Sequence, residues 1–146
     1  MTPEKFARCF IGLNMHVKRG DLTRAVLEGV SFGLRDSLEI LKDLNIPTHQ
    51  IRVIGGGARS KLWKQILADV FNHSIDEINT NQGGALGATI LAAVGAGQYE
   101  NVEEGCKRLI KSINQINPVE EHVNQYEKIY IKYTSLYTCL KDWFKS

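Results

Sequence analysis

Residues 51–60 read Ile51-Arg52-Val53-Ile54-Gly55-Gly56-Gly57-Ala58-Arg59-Ser60. The first four of these residues are mostly β-branched and predict a short buried strand, and Ser60 is suited to cap a helix that begins directly afterwards. The glycines between these two elements remove every side chain, so backbone amides are able to approach a ligand at van der Waals distance. The helix that follows presents unpaired N–H groups and the positive end of its dipole, which suits a nucleotide.

This turn departs from two well-known phosphate-binding motifs. A Walker loop ends in Gly-Lys-Ser or Gly-Lys-Thr, whereas this chain carries Arg59-Ser60-Lys61 at that place. A Rossmann fingerprint requires a third glycine where Ser60 stands, although Asp76 lies at a suitable distance to bind a ribose. A Rossmann-type oxidoreductase is therefore kept only as a minor alternative. A tight strand-to-helix turn without a ligand is the other alternative, and for three glycines alone it is the better one.

The flanking sequence predicts helices and short strands on both sides of the turn. Apolar residues recur at helical spacing from Leu22 to about Leu44, and Asp21 is predicted to be the N-cap of that helix. After the turn, a second apolar face predicts a helix that extends to Phe71, in which Trp63 is expected to pack in the core. Residues 74–78 are a candidate second strand. Together these elements predict an α/β fold that is dominated by helices and contains a short sheet.

The C-terminal half of the chain is predicted to be helical as well. Residues 83–94 form a helix of small residues, in which each glycine costs roughly 1 kcal/mol against alanine, so close packing against a neighbour is expected. Residues 102–113 are interpreted as a shorter amphipathic segment. Asn117-Pro118-Val119-Glu120 predicts the start of a last helix with Asn117 as its cap. The aromatic stripe along that helix is interpreted as core or interface, in preference to a platform for base stacking.

Composition and charge narrow the classes of function. The 146 residues are enough for one domain with a core, and the net charge of +2 is spread without a block of like charges. Nucleic acid is therefore not expected as a partner, because it usually requires a concentrated basic face. No apolar stretch is long enough to cross a membrane. Cys9, Cys106 and Cys139 form no CxxC pair and the histidines show no metal-ligand pattern, so no metal site is predicted and a reducing cytoplasm is the expected location.

Three segments together resemble the C-terminal part of the FGGY carbohydrate kinases. Gly12-Leu13 and residues 21–30 are similar to the C-terminal signature of that family, and residues 54–69 resemble its adenosine motif, close to its xylulokinase branch. Residues 83–88, followed by residues 92–97, are similar to its second connecting helix. The motifs occur in the order and spacing of the family. The resemblance covers nearly the whole chain and is weakest in its last third.

This resemblance implies a fold and a reaction. The fold is a pair of ribonuclease-H-like domains, as in actin, hexokinase and the Hsp70 ATPase, which close on ATP and a sugar. The reaction is transfer of the γ-phosphoryl group of ATP to a hydroxyl of a sugar, here of the xylulose type, with Mg²⁺. Family members are roughly three times as long as this chain, which is more than one domain. Residues 1–146 are therefore expected to be the C-terminal ATP-binding portion of a two-domain enzyme, with a partial ribonuclease-H-like fold.

The resemblance also implies that this chain holds the adenosine end of ATP. The residues expected to contact it are Gly55, Gly56, Gly57, Ala58, Ser60 and Gln65. A capping role for Ser60 and an ordinary surface position for Gln65 remain alternatives. No catalytic residue is assigned, because the phosphate loop and the general base of the family precede the matched region. The Mg²⁺ ligands and the sugar site are likewise expected outside this chain, which is predicted to be inactive alone.

Further expectations concern the surfaces of the chain. Gly83, Gly84 and Gly87 are expected to let the small-residue helix approach the other domain or the nucleotide loop. Since the chain offers only two clear strands, we expect an exposed sheet edge or apolar patch, and such surfaces favour a homo-oligomer. A non-catalytic module of the same fold, which binds a nucleotide or a partner without chemistry, is the alternative to the kinase.

Overall fold

The structure is a computed structural model that describes residues 9–80 and 82–145, with side chains for residues 9–80 and 82–142. Helices dominate it, as the sequence predicts. In chain order the elements are α1 (Arg19–Asp43), β1 (Ile51–Arg52), a short 3₁₀ helix (Gly56–Arg59), α2 (Lys61–Phe71), β2 (Ile75–Ile78), α3 (Gly83–Gly95), α4 (Val102–Leu109), β3 (Ser112–Ile116) and α5 (Glu120–Lys145).

Within the described residues, three strands form a sheet in the order β1-β2-β3. β1 pairs with β2 in parallel, with Ile51 opposite Ile75, and β2 pairs with β3 in antiparallel, with Ile75 opposite Ile116. The parallel pair requires a crossover connection, which α2 provides. In this part of the chain β1 has a neighbouring strand on one side only, so the predicted sheet edge is present.

α2 lies at the centre of the fold. One of its faces packs against α1 and α5, and the opposite face packs against the sheet. The buried residues of the first cluster are Phe32, Ile66, Val70 and Tyr126, and those of the second are Leu67, Ala68 and Ile75. Burial of an Ile, Leu or Phe side chain contributes roughly 1.5–3 kcal/mol to folding stability. Since α2 supplies buried residues to both clusters, it joins the two layers. Trp63 contacts both clusters, which confirms that it packs in the core.

α1 begins earlier than the sequence predicts. It starts at Arg19 and ends at Asp43, so the predicted C-terminal end is correct and the predicted start at Leu22 is late. Asp21 is not the N-cap, because it lies inside the first turn, where its carboxylate accepts a hydrogen bond from the N–H of Lys18 at 2.9 Å. The apolar periodicity does not show this first turn because its residues are polar.

The amphipathic segment at residues 102–113 is helical only in its first part. α4 ends at Leu109, and the following residues form β3. Two amides of β3 bind carboxylates of β2, since Nδ2 of Asn114 donates to Glu77 at 2.6 Å and Nε2 of Gln115 donates to Asp76 at 2.9 Å. These partners precede β3 by more than thirty residues. The pairing is therefore invisible to a local pattern.

The start of α5 is capped by a residue of α2. Asn117, the predicted cap, accepts a hydrogen bond from Oγ of Ser74 at 2.9 Å instead. Asp69 takes the capping role, because its buried carboxylate accepts the N–H of Val119 at 2.9 Å. The start of α5 is therefore held by a contact with α2.

An apolar stripe on α1 is exposed. Val26, Val30 and Leu34 lie one turn apart, and their exposed fractions are 51%, 48% and 47%. We call these three residues the α1 stripe; it confirms the expected apolar patch. Among the described residues, every helix is too short or too polar to span a membrane.

Candidate functional site

The glycine turn, residues 55–57, begins with a backbone conformation that favours glycine. Gly55 has φ 90° and ψ −167°, a region that residues with a side chain rarely adopt. A single 3₁₀ turn follows, in which the N–H of Ala58 donates to the carbonyl of Gly55 at 3.2 Å. Ala58 is buried at the base of this turn. The turn is thus anchored inside the fold by Ala58 and requires glycine at its first position.

Gly57 lacks a side chain because the protein itself occupies the neighbouring space. A Cβ atom at Gly57 would overlap the six-membered ring of Trp63. Packing within the fold therefore accounts for glycine at this position without a ligand. Contact between Gly57 and a nucleotide stays a prediction, and any such contact would involve its main-chain atoms.

Gly56 is the open position of the turn. It is exposed, and apart from the adjoining main chain no heavy atom of the described residues lies within 4 Å of the place that its Cβ would take. Its φ lies outside the left-handed region, so alanine is sterically acceptable there. Unlike its two neighbours, Gly56 is required neither by backbone conformation nor by packing.

The turn is bordered on a second side by the start of α3. A Cβ atom at Gly83 would overlap Cδ1 of Ile54, the residue that precedes the turn. The expected close approach of this helix to the glycine turn is therefore confirmed at Gly83. Apart from the adjoining residues and the backbone of α3 itself, no described heavy atom lies within 4 Å of the Cβ positions of Gly84 and Gly87. Their approach to another domain stays a prediction.

Ser60 and Gln65 both have partners inside the chain. Oγ of Ser60 accepts the N–H of Trp63 at 3.2 Å, so Ser60 caps α2 as the alternative interpretation proposed. The side-chain nitrogen of Gln65 donates to Asp69 at 2.9 Å and to the carbonyl of Asn117 at 3.1 Å. Gln65 thus supports the junction of α2 with α5. Its contact with a nucleotide remains a prediction.

One residue near the turn has no functional signal in the sequence. Ser31 is fully buried on the inner face of α1, and its Oγ accepts a hydrogen bond from Nε1 of Trp63 at 3.2 Å. The sequence gives no sign of this contact, because Ser31 and Trp63 are thirty-two positions apart. Ser31 connects α1 to the residue that packs on Gly57.

Groups suited to phosphoryl transfer are not brought together in the described residues. No cluster of three His, Cys, Asp or Glu side chains able to hold a metal ion occurs there. The two buried aspartates, Asp69 and Asp76, have partners in Gln65, His122 and Gln115. Mg²⁺ requires several oxygen ligands, such as carboxylates, together in octahedral geometry. Because these two carboxylates belong to no such cluster and already bind other side chains, they do not fit a magnesium site.

The glycine turn lies on an open surface of the chain. Two shallow clefts occur elsewhere and do not include it. One is lined by residues such as Leu38, Ile46 and Phe71 beside the edge strand β1, and the other lies along β3 beside Lys64 and Asn114.

The sequence is similar to those of sugar kinases. A xylulose kinase of Bacillus subtilis is 34% identical over 132 residues, which are 90% of this chain and 26% of that protein. A ribulokinase of Mycolicibacterium smegmatis is 33% identical over 135 residues, which are 92% of this chain and 23% of that protein. The chain thus spans about a quarter of the length of these curated relatives.

The fold is similar to that of a solved sugar kinase. The crystal structure of xylulose kinase from Rhodospirillum rubrum matches with a TM-score of 0.82 and 30% sequence identity, over 97% of this chain and 29% of that chain. The profile of the FGGY family of carbohydrate kinases, C-terminal domain, matches residues 1–96, a range that includes the glycine turn and all of α3. On these agreeing grounds of sequence, fold and motif, the chain belongs to the FGGY family of carbohydrate kinases.

Proposed function

We propose that the protein to which this chain belongs transfers the γ-phosphoryl group of ATP to a hydroxyl group of a sugar. Membership of the FGGY family supports this reaction, and the relatives named above are a xylulose kinase and a ribulokinase. Xylulose is the proposed substrate, because xylulose kinases are among the matches in both the sequence and the structure comparison. The sugar is expected to bind to parts of the protein outside this chain.

We further propose that the chain is the C-terminal portion of a two-domain kinase with a ribonuclease-H-like fold. The short mixed sheet, the crossover helix α2 and the similarity to a solved xylulose kinase support this assignment. A cytoplasmic location and the use of ATP belong to the same proposal. According to this proposal, the C-terminal portion forms one side of the nucleotide site, and closure against the other domain completes the site.

The role proposed for this chain is to bind the adenosine part of ATP at the glycine turn. The observation that carries this proposal is the open position of Gly56, where neither backbone conformation nor packing requires a glycine. A flat purine nucleoside is able to rest against main chain at such a place, whereas a side chain would separate the two surfaces. Gly55 and the main chain of Gly57 complete the proposed surface. Ala58, which is buried, and Ser60, which caps α2, fix the end of the turn that leads into α2.

Phosphoryl transfer itself is assigned to the rest of the polypeptide. Catalysis of this reaction depends on positioning and on stabilising charge around the phosphates, a task in which bound Mg²⁺ neutralises developing negative charge. The described side chains offer no cluster to hold that ion. We therefore expect the isolated chain to bind nucleotide without turning it over. A nucleotide-binding module without chemistry is the second candidate, and the same missing cluster favours it for this chain taken alone.

Isothermal titration of the chain with ATP, ADP and AMP-PNP tests the nucleotide role. We expect all three ligands to bind, since they share adenosine, and we expect Gly56→Ala to weaken ADP binding by about tenfold, which is about 1.4 kcal/mol. Gly57→Ala is not a suitable probe, because its Cβ would overlap Trp63 and disturb the fold. Wild-type chain that binds none of the ligands would refute the proposed role.

Gly95→Ala is the matched control for this titration. Gly95 also has open space at its Cβ position, but it lies at the far end of α3, about 18 Å along the helix from Gly83. Alanine there is expected to raise helix stability by about 1 kcal/mol and to leave ADP affinity unchanged. If Gly56→Ala and Gly95→Ala bind ADP equally well, the turn is not part of the nucleotide site.

A further inference from the structure

Trp63 touches the glycine turn at two points. The edge of its indole ring occupies the space beside Gly57, and its backbone N–H donates to Oγ of Ser60 at the end of the turn. The ring is half-buried and contacts both core clusters. A single residue of α2 therefore sets the position of the turn relative to the centre of the fold.

The indole ring is itself fixed by α1. Its Nε1–H donates to Oγ of Ser31 at 3.2 Å, and the hydroxyl of Ser31 donates in turn to the carbonyl of Leu27 at 2.8 Å. A serine hydroxyl has one proton to give, and here that proton is used within α1, so the oxygen is oriented to accept from the indole. Ser31 is fully buried, and an indole N–H that is buried without an acceptor is destabilising.

We propose that Trp63 is a positioning residue for nucleotide binding, and that the hydrogen bond that its indole N–H donates to Ser31 is what orients it. In this arrangement the indole supports Gly57 from within, and Gly57 in turn holds Gly55 and Gly56 in the conformation that meets the nucleoside. The proposal rests on the nucleotide role of the turn. It adds that α1 controls the geometry of the turn indirectly. Ser31 does not contact the turn, but it orients Trp63, which does.

An orienting role of Trp63 and simple core packing lead to different nucleotide affinities when the hydrogen bond to Ser31 is lost. If Trp63 only filled the core, loss of the hydrogen bond would lower stability, and the folded molecules would bind nucleotide as before. If Trp63 orients the turn, nucleotide affinity falls even in a fully folded sample. Ser31→Ala is the sharpest probe, because it removes one oxygen atom and leaves the ring and the glycines in place.

The test combines titration with ADP, urea unfolding and ¹⁵N-edited NMR of the chain. We expect Ser31→Ala to weaken ADP binding about fivefold at a temperature where unfolding shows the sample to be folded. Trp63→Phe is expected to cause a similar or larger loss. The double variant is expected to bind no worse than Trp63→Phe alone, because both changes break the same link. Additive losses, or an unchanged dissociation constant in folded Ser31→Ala, would overturn the proposal.

Ile90→Val is the matched control for stability. Ile90 is buried in α3 against α4, away from Trp63, and its truncation is expected to destabilise the chain modestly without changing ADP affinity. An equal loss of affinity in Ile90→Val and Ser31→Ala would show a general effect of stability and contradict the positioning role.

The NMR measurement separates this proposal from the nucleotide role itself. Without any ligand, Ser31→Ala is expected to shift the amide resonances of Gly55, Gly56 and Gly57 together with the indole N–H of Trp63, which Trp143→Phe identifies by elimination. If these glycine resonances do not move, the positioning role fails whatever the chain binds. If they move but ADP does not bind to the wild-type chain, the proposed function fails and the structural link stands.

Discussion

Asp69 is a single buried residue that joins two helices. Its carboxylate accepts hydrogen bonds from Gln65 of its own helix, from the N–H of Val119 and from Nδ1 of His122, each at 2.9 Å. Its residue exposure is 2%, so these contacts replace water almost completely. A buried charge of this kind is tolerated because its partners are in place. The first turn of α5 is thereby held on α2.

Asp69→Ala is predicted to lower the free energy of unfolding by about 3 kcal/mol, because it leaves buried donors without an acceptor. Urea denaturation followed by circular dichroism measures this change. Asp43→Ala is the control, since Asp43 is exposed at the end of α1 and its removal is expected to change stability by at most about 0.5 kcal/mol. Similar unfolding midpoints for the two variants would contradict the role given to Asp69.

The glycine turn shows how far single residues are readable from sequence. Three successive glycines are enough to predict a turn that carries no side chains of its own. The reasons for them differ, however: Gly55 serves a left-handed backbone, Gly57 makes room for Trp63, and Gly56 has neither constraint. These reasons depend on packing between α1, α2 and the turn. The contact of Trp63 with Ser31 was not predictable for the same reason, because the two residues are thirty-two positions apart.

At the scale of elements, helices with a regular apolar face were predicted well. The observed α1, α2 and α3 agree with the sequence apart from the first turn of α1. Their apolar spacing predicts a helix but not which face is buried, since Val26, Val30 and Leu34 of α1 are exposed. The strand β3 was missed because its side chains are mostly exposed, and Ile113 is 66% exposed. Its stability comes from pairing with β2 and from amide–carboxylate contacts, which leave no apolar alternation in the sequence.

The helices α2 and α3 are predicted to differ strongly in local stability. α2 is covered by α1, α5 and the sheet, whereas α3 packs mainly against α4 and exposes Ala85, Ala88 and Leu91. Few buried contacts permit local opening, so amides of α3 should exchange with solvent at least tenfold faster than those of α2. Hydrogen–deuterium exchange read by NMR measures both helices in one sample. Equal protection of the two helices would show that α3 is held by contacts that this structure does not contain.

Three tyrosines of α5 that contact α1 make the stability of the whole protein depend on pH. Burial, followed by a hydrogen bond to Glu28, raises the pKa of Tyr126 to about 12. Burial also raises the pKa of Tyr130, with a further contribution from its hydrogen bond to Asp36, and burial raises the pKa of Tyr133. Since an unfolded tyrosine titrates near pH 10, the folded state holds these protons more tightly than the unfolded state.

The predicted consequence is a loss of stability in alkali. The contribution of Tyr126 is fully present below about pH 10 and is lost as the pH rises through about 12, because the unfolded chain then releases the proton first. Urea midpoints measured from pH 8 to pH 12 should therefore fall above about pH 10. Tyr126→Phe is expected to make that fall shallower while lowering stability at pH 8. A midpoint that stays constant to pH 12 in the wild-type chain would contradict the raised pKa values.

The α1 stripe and the open edge of β1 are predicted to make the isolated chain self-associate. Apolar side chains one helical turn apart form a continuous surface, and its removal from water favours pairing by roughly 25 cal/mol for each Å² buried. Light scattering after size-exclusion chromatography at high protein concentration should give the mass of at least two chains, and Val30→Lys, at the centre of the stripe, should restore the monomer. Ile131→Lys is the control, because Ile131 is 68% exposed on α5, outside the stripe. A wild-type chain that stays monomeric, or equal dissociation by both lysine variants, would show that the α1 stripe is not the surface that pairs.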